Sequence, residues 1–290
     1  MTQHHVRRAV FPVAGLGTRF LPAAKVMPKE MLTVVDKPLI HHAVEEALAA
    51  GIEEIILVNG RGKGVLEDHF DRAFELEAVL EARGYTDRLA LARQLVPPPG
   101  NVVSVRQQTP LGLGHAVWCA RHAVGDEPFA VFLCDDLVLS QTPCIGQLLE
   151  VHARTGGNVV AVEDLPRELT SRYGVLDVGD DDGRLAEVRG LVEKPDPADA
   201  PSTLTIFGRY VLLPEIFDHL ENQNPGAGEE IQLTDAMAKM IGHAPFHGLR
   251  VEGRRFDCGS KLGFLQANIA YGLADPDIAP ALQAFLDDLE

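Results

Sequence analysis

Apolar and polar positions along the chain fall into two textures. Through residues 9–133, short apolar runs of strand length alternate with longer stretches whose apolar residues recur at helical spacing. Strands are predicted over 9–14, 54–59, 102–106 and 129–133, and helices over 39–50, 63–82 and 114–123. Such a strand–helix rhythm predicts a Rossmann-like mixed, mainly parallel central sheet with helices on both faces. From Asn158 onward the runs 158–163, 174–178, 185–192 and 204–213 are divided by turns such as Asp180-Asp181-Asp182-Gly183. This second texture predicts a smaller antiparallel or mixed extension. No repeat or low-complexity linker separates the two, so the expectation is one α/β domain with two lobes, 1–157 and 158–261, and a C-terminal helical segment, 262–290. In that segment Ile278, Leu282, Phe285, Leu286 and Leu289 form an apolar stripe, which either packs on its own domain or meets another subunit.

Composition narrows the class. The 290 residues are 46% hydrophobic and 23% charged, ample for a core without disulfide staples. A net charge of -16 excludes a nucleic-acid surface, which needs clustered Lys and Arg. Cys119, Cys134, Cys144 and Cys258 form no C-x-x-C pair, so they read as free thiols in a reducing compartment. Residues 1–8 are polar, and no run approaches the roughly 18 apolar residues of a membrane span. The expectation is a cytoplasmic protein with neither a nucleic-acid nor a membrane partner.

The first predicted strand runs into Gly15-Leu16-Gly17-Thr18-Arg19, and ten residues past Arg19 stands Lys29 within Met27-Pro28-Lys29-Glu30-Met31. Glycine backbone can approach an anion closely, and Arg19 and Lys29 add full charges, so the loop suits a polyphosphate. A plain tight turn is the alternative for the glycines alone. A Walker loop is excluded because Gly17 is followed by Thr18-Arg19. A dinucleotide loop is excluded because Phe20 stands where a small residue is required. No Ser-His-Asp order or G-x-S-x-G elbow occurs, so covalent hydrolase chemistry has no support.

Three further runs carry chemistry. The strand at 129–133 ends in Cys134-Asp135-Asp136, and carboxylates at the carboxyl end of a strand in an open α/β sheet lie where ligands bind. Paired acids there either hold a hard divalent cation such as Mg2+ or mark a turn. Arg106-Gln107-Gln108-Thr109-Pro110-Leu111-Gly112-Leu113-Gly114-His115-Ala116 follows a strand and opens a helix, giving a second glycine-rich edge. Glu193-Lys194-Pro195 sets an acceptor for hydroxyls beside a compact cation for a phosphate, unless it is an ordinary solvated pair.

Taken together these runs closely resemble the signatures of the sugar-phosphate nucleotidylyltransferases. The longest, Gly15 to Pro38, is similar to the bacterial branch that acts on UTP and glucose 1-phosphate, departing at Ala24 and Thr33, where threonine and proline are usual. Tyr173-Gly174-Val175, Gly208-Arg209-Tyr210 and the run from Gly226 to Ala236 extend the resemblance over nearly the whole chain. It also departs at Cys134, where proline is usual, but keeps both acids.

The resemblance implies the nucleotide-diphospho-sugar transferase type of fold and a set of roles. Ala14, Gly15, Gly17, Thr18, Arg19, Lys29, Glu30, Gln107 and Gly112 would bind the nucleotide, Gln107 reading the imide edge of uracil with both donor and acceptor. Gly174, Glu193 and Lys194 would bind the sugar phosphate. Asp135 and Asp257 would hold Mg2+ as cofactor, and Arg19, Lys29, Asp135 and Lys194 would carry catalysis. Lys25 and Asp136 match family positions without an assigned role. UTP and glucose 1-phosphate are the implied substrates, and a homodimer or homotetramer the implied assembly. A relative using dTTP or another sugar phosphate is the rival within the class. A non-catalytic paralogue is the rival outside it, and the retention of Arg19, Lys29, Asp135, Glu193 and Lys194 argues against it.

Overall fold

The structure is a computed structural model that describes residues 5–94, 96–221 and 224–289. Its strands are β1 (Arg8–Pro12), β2 (Thr33–Val34), β3 (Lys37–Pro38), β4 (Glu54–Asn59), β5 (Val102–Arg106), β6 (Phe129–Phe132), β7 (Asp136–Leu139), β8 (Asn158–Asp164), β9 (Gly174–Asp181), β10 (Leu185–Glu193), β11 (Leu204–Leu212), β12 (Phe246–Arg250) and β13 (Arg254–Asp257). The α-helices are α1 (Leu39–Ala49), α2 (Val65–Asp68), α3 (Phe74–Ala82), α4 (Thr86–Arg93), α5 (Leu113–Cys119), α6 (Arg121–Val124), α7 (Cys144–Thr155), α8 (Ile216–Glu221), α9 (Leu233–Met240), α10 (Lys261–Ala274) and α11 (Ala279–Asp287). Among the described residues no helix is long and apolar enough to cross a membrane.

Nine strands form one sheet in the order β5-β4-β1-β6-β11-β8-β12-β10-β9. From β5 to β6 the pairing is parallel, as the strand–helix rhythm predicts. β11 then enters antiparallel to both β6 and β8, β12 runs parallel to β8, and β10 and β9 close the sheet antiparallel. The sheet is therefore mixed, as expected, but parallel pairings do not outnumber antiparallel ones, so it is not mainly parallel, and the expected extension continues it directly. The cause is β11, which returns from the second half of the sequence to lie against β6.

Alternate side chains of the central strands feed two cores, as strand geometry requires. Val10, Ile56, Val58, Phe129 and Val131 face α5, α8 and α9. Ala9, Phe11, Ile55, Leu57, Ala130 and Phe132 face α1 and α7. Each such fully buried Val, Ile or Phe contributes about 1.5–3 kcal/mol of transfer free energy. The expectation of helices on both faces therefore holds.

The helix predicted over 63–82 divides into α2 and α3. The Asp71 side chain accepts from the Arg72 N–H at 2.7 Å, a local bond that competes with helical pairing. In the C-terminal stripe, Leu282 and Ile278 lie near Gly272 of α10, Leu282 and Leu286 are partly buried, and Ile278, Phe285 and Leu289 are exposed. The stripe is only partly used by its own domain.

Arg209 on β11 is fully buried and forks onto Glu46 of α1 at 2.7 to 3.1 Å. It also donates to the carbonyls of Leu133 and Gly208 and lies over the Phe132 ring. This pair fixes the exit of β6, where the candidate acids begin. Removing one partner of a buried pair strands the other charge, so Glu46→Ala is expected to lower unfolding free energy by about 3–5 kcal/mol, read from urea denaturation. An unchanged denaturation midpoint would remove the pair from the account of the fold.

Candidate active site

β1 and β6 are parallel neighbours, so their carboxyl ends emerge together. From β1 the chain continues through Val13 and Ala14 into the glycine loop, and Gly17 adopts φ 65°, a left-handed conformation suited to glycine. A Cβ at Gly17 would lie 3.1 Å from Lys29 Cβ, so the glycine also lets Lys29 close in. From β6 the chain continues to Asp135, whose Oδ2 accepts from Lys29 Nζ at 2.6 Å. Burial alone would lower the Lys29 pKa, but Asp135 and Glu30 outweigh it and hold the value raised. Burial alone would raise the Asp135 pKa, but Lys29, with Arg19 contributing, holds it lowered. Both groups stay ionised across neutral pH. Their mutual stabilisation fades only as pH falls through the lowered Asp135 value or rises through the raised Lys29 value.

The two adjacent acids divide their work. Asp136 opens β7 and points away from Lys29, accepting from Arg255 Nε at 2.7 Å and from the Gly208 N–H at 3.0 Å. Its partner Arg255 is nearly buried and also reaches Glu163, so Asp136 is held within a structural ion pair. β13 pairs with β7 in a register that sets Asp257 opposite Asp136, and the Cys258 N–H donates to the Asp135 carbonyl at 2.7 Å.

Asp257 thereby comes to face Asp135 across Gly259. A Cβ on Gly259 would lie 2.9 Å from Asp257 Oδ1 and 3.0 Å from Asp135 Oδ2, with Arg19 also close. Only glycine leaves this space between the two carboxylates open. Two carboxylates around a cradle suit an ion that keeps its other positions for water and phosphate oxygens. Among the described residues no group of three or more His, Cys, Asp or Glu could hold a metal, so a cage made wholly of such side chains is absent.

Gly174, Glu193 and Lys194 meet the same cleft. Glu193, the last residue of β10, pairs in register with Gly174, the first of β9. A Cβ on Gly174 would crowd Thr234 and Glu193. Lys194 follows with φ 47°, a costly conformation for a side-chain-bearing residue, and its Nζ lies 3.0 Å from Glu193 Oε1. Such strain is tolerated where the fold over-determines it. Here the Lys194 N–H donates to the Tyr173 carbonyl, while the Tyr173 hydroxyl reaches Asp257 at 3.3 Å.

Two adjoining cavities result. One, about 620 Å³, is lined by Ala14, Gly15, Gly17, Thr18, Lys29, Gln107 and Gly112. The other, about 840 Å³, is lined by Tyr173, Gly174, Glu193, Lys194, Thr234 and Asp257. Arg19, Asp135 and Gly259 border both, so two ligands could meet at that boundary. Gln107 donates to the Gly112 carbonyl at 3.0 Å, and its Nε2 lies 3.1 Å from His115 Nδ1. Gly112 has φ 104° and a neighbour in Glu230 so close that a Cβ would lie 2.7 Å from it. Thus Gly112 is required by docking of the 230–231 segment as well as by its place in the cleft.

Glu30 is the exception among the expected site residues. It lines neither cavity and is buried, its Oε2 accepting from Lys63 Nζ at 2.9 Å. Direct contact of its side chain with a nucleoside in that cleft does not fit this geometry. Lys25 is exposed and also lines neither cavity. Sequence reading gave no role to Lys63, Arg209, Arg255 or the Tyr173 hydroxyl. The quoted run through Gln232 and Thr234 was the signal available for the far wall. Three cysteines are buried and unreactive, burial pushing Cys258 up to about 12 and Cys134 and Cys144 further.

The model of the nucleotidyl transferase family matches residues 9–272. The UTP–glucose-1-phosphate uridylyltransferase of Komagataeibacter xylinus is 59% identical over 257 residues, covering 89% of this chain and 90% of that protein. The solved structure of a UTP-bound UGPase from Acinetobacter baumannii superposes with a TM-score of 0.90 at 44% identity, covering 98% of this chain and 100% of that one. A UDP-glucose pyrophosphorylase complexed with UDP-glucose gives 0.82 at 39% identity, with 93% and 100% covered.

Proposed function

The chain belongs to the nucleotidyl transferase family, and from that premise we infer that it transfers the uridylyl group of UTP to glucose 1-phosphate, giving UDP-glucose and pyrophosphate. The observation that carries this reading is the meeting of the two cavities at Arg19 and Asp135, with Lys29 and Lys194 on opposite sides. UTP occupies the cavity of the glycine loop and Gln107, and glucose 1-phosphate that of Gly174 and Glu193. The sugar phosphate is already ionised at neutral pH, so the reaction needs no general base.

One phosphate oxygen of glucose 1-phosphate attacks the α-phosphorus of UTP in line. The bond from that phosphorus to the bridging oxygen breaks, and pyrophosphate leaves with the electron pair. Two anions must approach, so the protein acts on repulsion and alignment. Gly15, Gly17 and Arg19 cradle the leaving pyrophosphate, Lys29 steadies the α-phosphate, and Lys194 brings in the sugar phosphate. Asp135 and Asp257 would hold Mg2+, which when bound supplies charge neutralisation at phosphate oxygens. Residues 1–157 serve as the nucleotide lobe and 158–261 as the sugar-phosphate lobe.

The setting is the cytosol, and the working form a homodimer or homotetramer. Support for assembly is the apolar surface left by Leu262, Leu265 and Ile269 of α10 with Phe285 and Leu289.

Pyrophosphate release with UTP and glucose 1-phosphate, run beside dTTP and galactose 1-phosphate, tests the assignment. The UTP and glucose 1-phosphate pair is expected to give the highest kcat/KM. A higher value with dTTP or with galactose 1-phosphate would overturn it.

A further inference from the structure

Lys63 lies in the glycine-rich turn Gly60-Arg61-Gly62-Lys63-Gly64 after β4, a context that favours exposure, yet it is 8% exposed. Its ammonium donates to two acceptors. One is the Val13 carbonyl at 2.5 Å, immediately before the phosphate loop. The other is Glu30 Oε2, in the residue next to Lys29. The turn itself is held close: Asn59 Nδ2 donates to the Lys63 carbonyl at 3.3 Å, and a Cβ on Gly60 would lie 3.1 Å from the Ala14 carbonyl oxygen.

A buried lysine–glutamate pair is weak support for stability, because desolvation of both charges offsets their attraction. Glu30 Oε1 has no hydrogen-bond partner among the described residues, which raises that cost further. The pair does, however, join two segments that must act together. Val13 leads into Gly15 and Gly17, and Glu30 adjoins Lys29.

We propose that Lys63 is a positioning residue for the reaction: from beneath the cleft it ties the end of β1 to the Lys29 segment and sets the spacing between the phosphate loop and Lys29. It touches no substrate. The inference rests on the reading above that this loop and Lys29 hold UTP, and it adds how they are kept in register.

The test uses the full-length protein with Lys63→Met, Glu30→Gln and the double variant Lys63→Met with Glu30→Leu. Kinetics are measured with each substrate varied in turn, alongside UTP titration calorimetry and thermal melting. Misplaced reactants lose roughly 10- to 100-fold in rate, and Lys63→Met is expected to show that loss with a raised KM for UTP and an unchanged KM for glucose 1-phosphate. Glu30→Gln keeps the shape and replaces the ion pair by a weaker bond from the ammonium to a neutral amide oxygen, so a several-fold rise in KM for UTP is expected. In the double variant the buried charges are gone. Melting is expected to recover, and activity is not.

Recovery of activity together with melting in the double variant would make the pair purely structural and overturn the proposal. So would wild-type kinetics in Glu30→Gln, which decides the matter if Lys63→Met does not fold. If the wild-type protein makes no UDP-glucose, the functional assignment fails instead, and the calorimetric UTP affinities still report on the tie.

Discussion

Lys194→Ala is expected to lower turnover on the order of 100-fold or more, the scale on which a lost electrostatic contact to the reacting charge is felt. The argument begins with the backbone. Lys194 takes a left-handed φ at the end of β10, which alanine can bear no worse, so the strand and the Tyr173 carbonyl bond should survive. What disappears is the ammonium at the wall of the cleft lined by Gly174 and Glu193. Glu193 then loses its partner and adds repulsion toward an incoming phosphate. Turnover at saturating substrates, with circular dichroism as the control for folding, checks this. Near-wild-type turnover would remove Lys194 from the mechanism.

Asp135→Asn is expected to cost about 100- to 1000-fold in kcat, by analogy with the loss of one preorganised charge contact in a closed site. It should also shift the Mg2+ activation curve to higher concentration. The substitution keeps the shape of the side chain but removes the charge that Lys29 and Arg19 hold ionised. Asp136→Asn separates the acids, because Asp136 is bound to Arg255 and Gly208. It should lower melting and leave the Mg2+ midpoint where it was. An unchanged metal titration in Asp135→Asn would show that Asp135 is not a ligand.

Much of the cleft's lining was legible because it lies in short runs. Gly15, Gly17, Arg19, Lys29, Gln107, Gly112, Asp135, Glu193 and Lys194 come from separate short runs, and the fold brings them to one cleft, whereas Lys25 and Glu30 line neither cavity. Glu30 turns away from the cleft although its neighbour Lys29 lines it. Adjacent residues in a tight turn point differently, and only the buried ammonium of Lys63 settles which way Glu30 goes. The same holds for Asp135 and Asp136, where a distant arginine on β13 claims the second acid.

The parallel half of the sheet was legible from periodicity, since each apolar run packs beside the next through a covering helix. The mixed half was not. Strand order there depends on β11 pairing with β6, about eighty residues upstream, and no local pattern encodes that choice. The division of 63–82 into two helices likewise falls where the Asp71 side chain accepts from the Arg72 N–H.

Because β11 stitches the strand that ends near Asp135 to those that carry Glu193, the ground beneath both reactants is a single hydrogen-bonded plate. A plate of this kind has no seam along which to open like a book. Traffic of molecules in and out must therefore be managed by the connecting segments along its rim, and scattering profiles of the empty and filled protein should coincide at low angle.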